Sequence, residues 1–213
     1  MRGKFDLSLY LVTDPGAGAA VPNIVEAALR GGVTMVQLRE KEADTKTFFE
    51  RACLLKKITD AKHVPLMIND RLDICLAADA AGLHIGQSDL PASVARKWLP
   101  ADKILGVSAH TVEEAKQAEQ DGADYLGVGA VFPTATKPDA ETVSIKMLKE
   151  ICETVRIPVV AIGGIGEENV GELAGSGVAG TAVVSAIMSA QNPREAALRL
   201  KGKIFSEIFQ KSI

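Results

Sequence analysis

Eight short apolar runs recur along the chain: Leu9–Val12, Thr34–Leu38, Pro65–Ile68, Gly82–Ile85, Ile104–Val107, Tyr125–Val128, Val159–Ile162 and Thr181–Val184. Most are continuously hydrophobic with little polar alternation, the pattern of strands buried on both faces of a parallel sheet. Between them lie segments with helical spacing, over Asn23–Arg30, Thr45–Ala61, Val112–Asp121 and Ile145–Glu153, and the chain closes with a further one over Pro193–Phe209. Their ends carry recognisable signals. Thr111 followed by Glu114 has the form of a capping box, Asp44 can cap the long second helix, and Pro193 suits a first helical turn. Gly31, Gly32, Gly122 and Gly177 follow helical segments and are expected to end them in the left-handed conformation.

Sharing 213 residues among eight strand-helix units leaves about 27 for each, enough for a short strand, a helix and two tight loops. The pattern predicts an α/β fold, an eight-stranded parallel (β/α)8 TIM barrel forming a single domain over residues 1–213. An open doubly wound sheet is the alternative architecture. It lacks support, because Thr13-Asp14-Pro15-Gly16 stands after the first run in place of a G-x-G-x-x-G turn.

Strands of such a barrel are parallel, so residues just beyond their C-terminal ends meet on one face. The second run ends in Gln37-Leu38-Arg39-Glu40-Lys41, whose alternation puts Gln37, Arg39 and Lys41 on one side and offers two cations to a phosphorylated ligand. Asn69-Asp70 follows the third run, and His84-Ile85-Gly86-Gln87-Ser88-Asp89 covers the fourth and the turn after it. Two carboxylates beside Asn69 and Gln87, with no paired His or Cys, form a hard oxygen environment suited to Mg2+. Taken singly, Asp70 could instead cap a helix at Arg71, and Asp89 one near Pro91. His84 sits within a strand and reads as a packed, hydrogen-bonded residue rather than a base.

Ser108-Ala109-His110 follows the fifth run and Thr134-Ala135-Thr136-Lys137 the sixth, adding hydroxyls and a lysine that can donate to phosphate; Ser108 or Thr111 could also serve only as a cap. Gly163-Gly164-Ile165-Gly166 and Val184-Ser185 complete the face. Glycines after the seventh strand and a short helix starting near Ser185 form the recurrent barrel arrangement for phosphate.

Composition narrows the field. With 24 Lys and Arg against 27 Asp and Glu, the net charge of −3 provides no general attraction to nucleic acid or anionic membranes. Anions must be held by local groups. Cys53, Cys75 and Cys152 are an odd number without C-x-x-C spacing, which argues against a disulfide framework or a zinc site. No segment has the roughly 20 apolar residues of a membrane span, and Met1–Tyr10 lacks the apolar core of a signal peptide. The chain therefore reads as cytoplasmic, with small-molecule substrates rather than nucleic acid or membrane as partners; whether it forms a homo-oligomer is left open.

Taken together, these motifs resemble the thiamine phosphate synthase family. The resemblance rests on Leu11-Val12-Thr13-Asp14, Gln37 to Lys41, Ile68-Asn69-Asp70, His84 to Asp89, Thr134 to Lys137, Gly163-Gly164-Ile165 and Val184-Ser185, one group per barrel loop and in order. It implies a transferase of thiamine biosynthesis that condenses 4-amino-5-hydroxymethyl-2-methylpyrimidine diphosphate with 4-methyl-5-(2-phosphoethyl)thiazole, releasing pyrophosphate. By this resemblance Gln37, Leu38, Arg39, Glu40, Lys41, Asn69, Ser108 and Lys137 hold the pyrimidine diphosphate. Asp70 and Asp89 hold one Mg2+ per active site, and Thr134, Ala135, Thr136, Gly164, Val184 and Ser185 hold the thiazole phosphate. Arg39, Lys41 and Lys137 are the implied catalytic cations, neutralising charge on the departing pyrophosphate in a dissociative displacement. A thiazole tautomerase-type relative and a non-catalytic phosphate-binding barrel are the alternatives. Neither needs the whole set of cations and carboxylates.

Overall fold

Every one of the eight apolar runs forms a strand: β1 Leu9–Val12, β2 Met35–Leu38, β3 Leu66–Asn69, β4 Gly82–Ile85, β5 Ile104–Ala109, β6 Tyr125–Val128, β7 Val159–Ile162 and β8 Gly180–Val183. The computed structural model describes residues 5–134 and 142–210. The strands pair in parallel in chain order, and β8 pairs with β1, so the sheet closes into a barrel. Helices lie between them: α1 Val21–Arg30, α2 Thr45–Asp60, α3 Leu72–Ala77, α4 Ala92–Trp98, α5 Val112–Gln120, α6 Ile145–Thr154, α7 Ser185–Met188 and α8 Pro193–Lys203. A turn of 3-10 helix, Val170–Leu173, stands in the crossover between β7 and β8. A π-helical turn over Ile204–Phe209 continues α8.

The caps follow the local chemistry. Asp44 accepts from the main-chain N–H of Thr47 and Thr111 from that of Glu114, satisfying donors that a helix start leaves open. Gly32, Gly122 and Gly177 are left-handed as expected, with φ of 100°, 91° and 86°. Gly31 is not; its φ of −85° is right-handed. Close packing supplies the reason for a glycine there, since a Cβ on Gly31 would collide with the main-chain oxygen of Arg194 at the start of α8.

Alternation along each strand divides the core in two. Leu9, Leu11, Val36, Leu38, Leu66 and Ile68 belong to the layer between sheet and helices. Tyr10, Val12, Met35, Met67, Tyr125, Val160 and Ala182 fill the barrel interior. Tyr125 needs more room than an evenly filled interior offers, and a glycine beside it provides the space. A methyl group on Gly106 would overlap the Tyr125 ring and the His84 imidazole.

Strand ends shift by a residue or two for identifiable reasons. The Thr34 hydroxyl and amide are both tied to the main chain of Leu9, which delays β2 to Met35. β5 runs on to Ala109 because Ser108 and Ala109 keep their pairing with Gly127 and Val128. Val184 leaves β8 with φ −116° and ψ −86° and turns the chain into α7.

Among the described residues, Thr181 Oγ1 is the one buried side-chain polar atom without a hydrogen-bond partner. Thr181 lies in β8 beside Leu9 and is fully buried. Thr181→Val replaces the unpaired hydroxyl with a methyl of similar volume and is expected to stabilise the protein by about 1 kcal/mol. Chemical denaturation checks this; a variant less stable than the parent would mean that the hydroxyl has a partner in solution.

Candidate active site

The C-terminal ends of the strands open onto a cavity of about 340 Å³. Gln37, Arg39, Lys41, Asn69, Asp70, Asp89, Ser108, Thr134, Gly164, Val184 and Ser185 all line it, so the structure gathers residues separated by almost the whole chain. Leu38 and Glu40 do not line it. Strand alternation turns Leu38 into the sheet-helix layer, and the Glu40 carboxylate is buried against Arg51 of α2 with an N–O distance of 2.7 Å. The side chains of both support the strand end from behind, which leaves only their main chain on the cavity side. Ala135, Thr136 and Lys137 lie outside the described residues.

Thr13 fixes the charged end of β2. Its amide donates to the Gln37 carbonyl at 2.9 Å, and its hydroxyl accepts from the Arg39 amide at 3.0 Å. Arg39 and Lys41 thus leave the sheet in a set direction. Lys41 forms an ion pair with Asp70, whose backbone is left-handed at φ 62°, a conformation that Asp and Asn tolerate better than most residues. That turn follows from the Asp70 amide, which still bonds the His84 carbonyl of the neighbouring strand at 2.8 Å.

Neither carboxylate acts as a helix cap. Arg71 occupies the N-cap position of α3 and Pro91 that of α4, in both cases without a side-chain cap bond. The Asp89 side chain instead accepts from the Gly86 amide at 2.7 Å. Burial, followed by its contact with Asp70, raises the Asp89 carboxyl above its ordinary value; the Gly86 bond and Lys41 act in the opposite direction. Two acidic oxygen donors held side by side at this energetic disadvantage are suited to a hard divalent cation, which relieves their repulsion. Among the described residues no group of three or more His, Cys, Asp or Glu could hold a metal. The pair thus fits an ion that completes its shell with ligand oxygens and water, as Mg2+ does.

The opposite side of the cavity is neutral. Gly163 and Gly164 have φ of 102° and 62°, and a Cβ on either would strike the 130–133 segment, on Ala130 and Pro133 respectively. Only glycine lets this backbone approach so closely. Asn169 holds the loop open by accepting from the Gly166 amide at 2.9 Å and donating to the Gly164 carbonyl at 2.8 Å. Val184 and Ser185 line the cavity beside this loop, at the end of the neighbouring strand β8.

The cavity floor contains residues that sequence reasoning did not assign to the site. Gln37 Nε2 donates to Tyr10 Oη at 2.6 Å, Tyr10 and Tyr125 share a hydrogen bond of 2.9 Å, and Tyr125 Oη meets His84 Nδ1 at 2.9 Å. His84 Nε2 lies 3.1 Å from Ser108 Oγ. Burial drives the His84 imidazole down to about 4, with Asp89 acting weakly in the other direction, and raises both tyrosines. His84 is therefore neutral and packed, as its strand position implies. The available signal was that the chain's two tyrosines both fall at inward positions of predicted strands, where a hydroxyl needs a partner.

The family profile described as "Thiamine monophosphate synthase" matches residues 9–187. The chain is 56% identical over 198 residues to the thiamine-phosphate synthase of Methanobrevibacter smithii, covering 92% of this chain and 95% of the relative. It is 53% identical over 201 residues to that of Clostridium tetani, covering 93% and 96%. Among solved structures, the thiamine phosphate pyrophosphorylase from Pyrococcus furiosus superposes with a TM-score of 0.88 at 40% identity, covering 94% of this chain and 96% of that one.

The depressed His84 value sets a sign for acid stability. A base whose affinity for protons is lower in the folded state destabilises the fold as pH falls from about 6.5, its unfolded value, towards 4. The stability of the wild type relative to His84→Gln should therefore drop by roughly 2 kcal/mol between pH 7 and pH 5. Parallel stability curves for the two proteins over that range would show that His84 is not held neutral.

Proposed function

The chain belongs to the thiamine monophosphate synthase family, and we propose that its cavity joins an aminopyrimidine diphosphate to a thiazole phosphate, giving thiamine phosphate and pyrophosphate. The observation that carries this reading is the two-sided cavity. Cations and carboxylates from the ends of β2, β3 and β4 face neutral glycine backbone and a serine from the ends of β7 and β8. Two phosphorylated substrates need two such sites, one for a departing diphosphate and one for a spectator phosphate.

On the charged side, Gln37, Arg39, Lys41, Asn69 and Ser108 would receive the pyrimidine diphosphate. Arg39 offers a planar fork and Lys41 a compact charge. Asp70 and Asp89 would hold Mg2+, which supplies charge neutralisation for the diphosphate when bound. Lys137, outside the described residues, completes the cationic set in this reading. On the neutral side, Thr134, Gly164, Val184 and Ser185 would hold the thiazole phosphate through main-chain N–H groups and hydroxyls; Ala135 and Thr136 are assigned to it from the sequence.

In the reaction the bond between the pyrimidine methylene carbon and the diphosphate oxygen breaks, and the oxygen keeps the electron pair. The resulting cation is delocalised into the aminopyrimidine ring. The thiazole nitrogen, which carries no proton, then donates its lone pair to the methylene carbon. No general base is needed. The protein contributes electrostatic stabilisation of the leaving group, through cations fixed before the reaction begins, and alignment of the two substrates.

The test is an assay with both purified substrates and Mg2+, omitting each in turn. Thiamine phosphate is expected only in the complete mixture, and no product above the blank would refute the reading. Asp70→Asn keeps a residue that tolerates the left-handed turn but removes the charge, and kcat is expected to fall about 10²-fold or more. Unchanged turnover would show that Asp70 is not a metal ligand.

A further inference from the structure

The line of hydrogen bonds from Gln37 to Ser108 has a direction, set at one end by the Gln37 amide, whose Nε2 is the group against Tyr10 Oη. The Gln37 amide nitrogen can only donate, so Tyr10 Oη accepts at that end. If Tyr125 also donated to Tyr10, the Tyr10 hydrogen would be left without a partner among the buried side chains of the cavity floor. Tyr10 therefore donates to Tyr125. The same argument applies one step on: Tyr125 must pass its own hydrogen to His84 Nδ1. Nδ1 is then an acceptor, so the neutral ring carries its proton on Nε2 and donates it to Ser108 Oγ.

Ser108 is consequently occupied as an acceptor, and its hydroxyl hydrogen is free to point into the cavity that it lines. Its carbonyl is engaged separately, by Gln87 Nε2 at 2.6 Å, which holds the end of β5 in place. We propose that Tyr125 and His84 are positioning residues: the line that starts at Gln37 sets the Nε2–H tautomer of His84 and makes Ser108 an obligate hydrogen-bond donor to an acceptor atom of the pyrimidine diphosphate. The identity of that ligand rests on the function proposed above; the tautomer does not.

Two features support a device rather than incidental packing. The line joins five strands, β2, β1, β6, β4 and β5, so it spans the barrel floor rather than closing on itself locally. Space is reserved for it, because methyl groups on Gly106 or Gly127 would press on the His84 ring. A polar chain satisfied throughout at the barrel floor defines one arrangement of donors more strongly than any single bond in it.

The test is nitrogen-15 NMR of the protein labelled at histidine, which has three such residues, His63, His84 and His110. In the wild type without substrates, His84 is expected to show a bare Nδ1 and a protonated Nε2; the reverse assignment overturns the proposal and requires no variant. Tyr125→Phe keeps the ring against Phe5 and Tyr10 but removes the donor to Nδ1. It should convert a measurable fraction of His84 to the Nδ1–H tautomer, and an unchanged spectrum would show that the line does not set it. Kinetically, this variant should lose about tenfold in kcat/KM for the pyrimidine diphosphate while KM for the thiazole phosphate stays within about twofold. Equal losses for both substrates would contradict a specific role for Ser108. A wild type with the expected tautomer but no turnover would leave the line intact and count against the function instead.

Discussion

Closure of the parallel sheet is the constraint from which the other features follow. With β8 hydrogen-bonded to β1, no strand has a free edge and the register of each is fixed from both sides. A slip of one residue would send every inward side chain outward. The closed register therefore decides that Tyr10, Gln37, His84, Ser108 and Tyr125 share one interior. It also decides that Arg39, Lys41, Asp70 and Asp89 leave the sheet at the same end. Polar groups buried together in this way must be satisfied, and the unbroken line between Gln37 and Ser108 lets them satisfy one another.

A second consequence is the separation of charge across one cavity. The chain is mildly acidic as a whole, with a net charge of −3, yet Arg39, Lys41, Asp70 and Asp89 come together where three adjacent strands end. The facing loops contribute backbone and hydroxyls instead. Rigid supports lie behind both sides: Thr13 and the Glu40–Arg51 pair behind β2, and Asn169 behind the glycine loop. Groups held in this way need little reorganisation when a diphosphate departs, which is the condition for effective electrostatic stabilisation.

Most of the architecture was legible in the sequence, because strands buried on both faces are written as uninterrupted apolar runs and eight of them occur with intervening segments between them. The charged half of the site was legible for a related reason. Polar residues directly after an apolar run have no structural need to be there, so Arg39, Lys41, Asp70 and Asp89 stood out. Alternation already separated Gln37, Arg39 and Lys41 from Leu38 and Glu40 in the sequence, and the pleat turns the Leu38 and Glu40 side chains away from the cavity. The floor was hidden for the opposite reason. Tyr10 and Tyr125 count as hydrophobic within a strand, and their hydroxyl partners come from strands far away in sequence. Gly31 was read as a left-handed helix end, whereas close contact with α8 accounts for it, a tertiary requirement that no local pattern encodes.

The central claim is that the cations and the carboxylate pair form one diphosphate site that is complete only with a divalent cation. Calorimetric titration of inorganic pyrophosphate into the protein, with and without Mg2+, addresses it most directly. The account predicts saturable binding at one site per chain with Mg2+ and affinity lower by at least an order of magnitude when Mg2+ is removed by chelation. Equal affinity in both conditions would contradict it, because Arg39 and Lys41 would then hold the anion without help from Asp70 and Asp89.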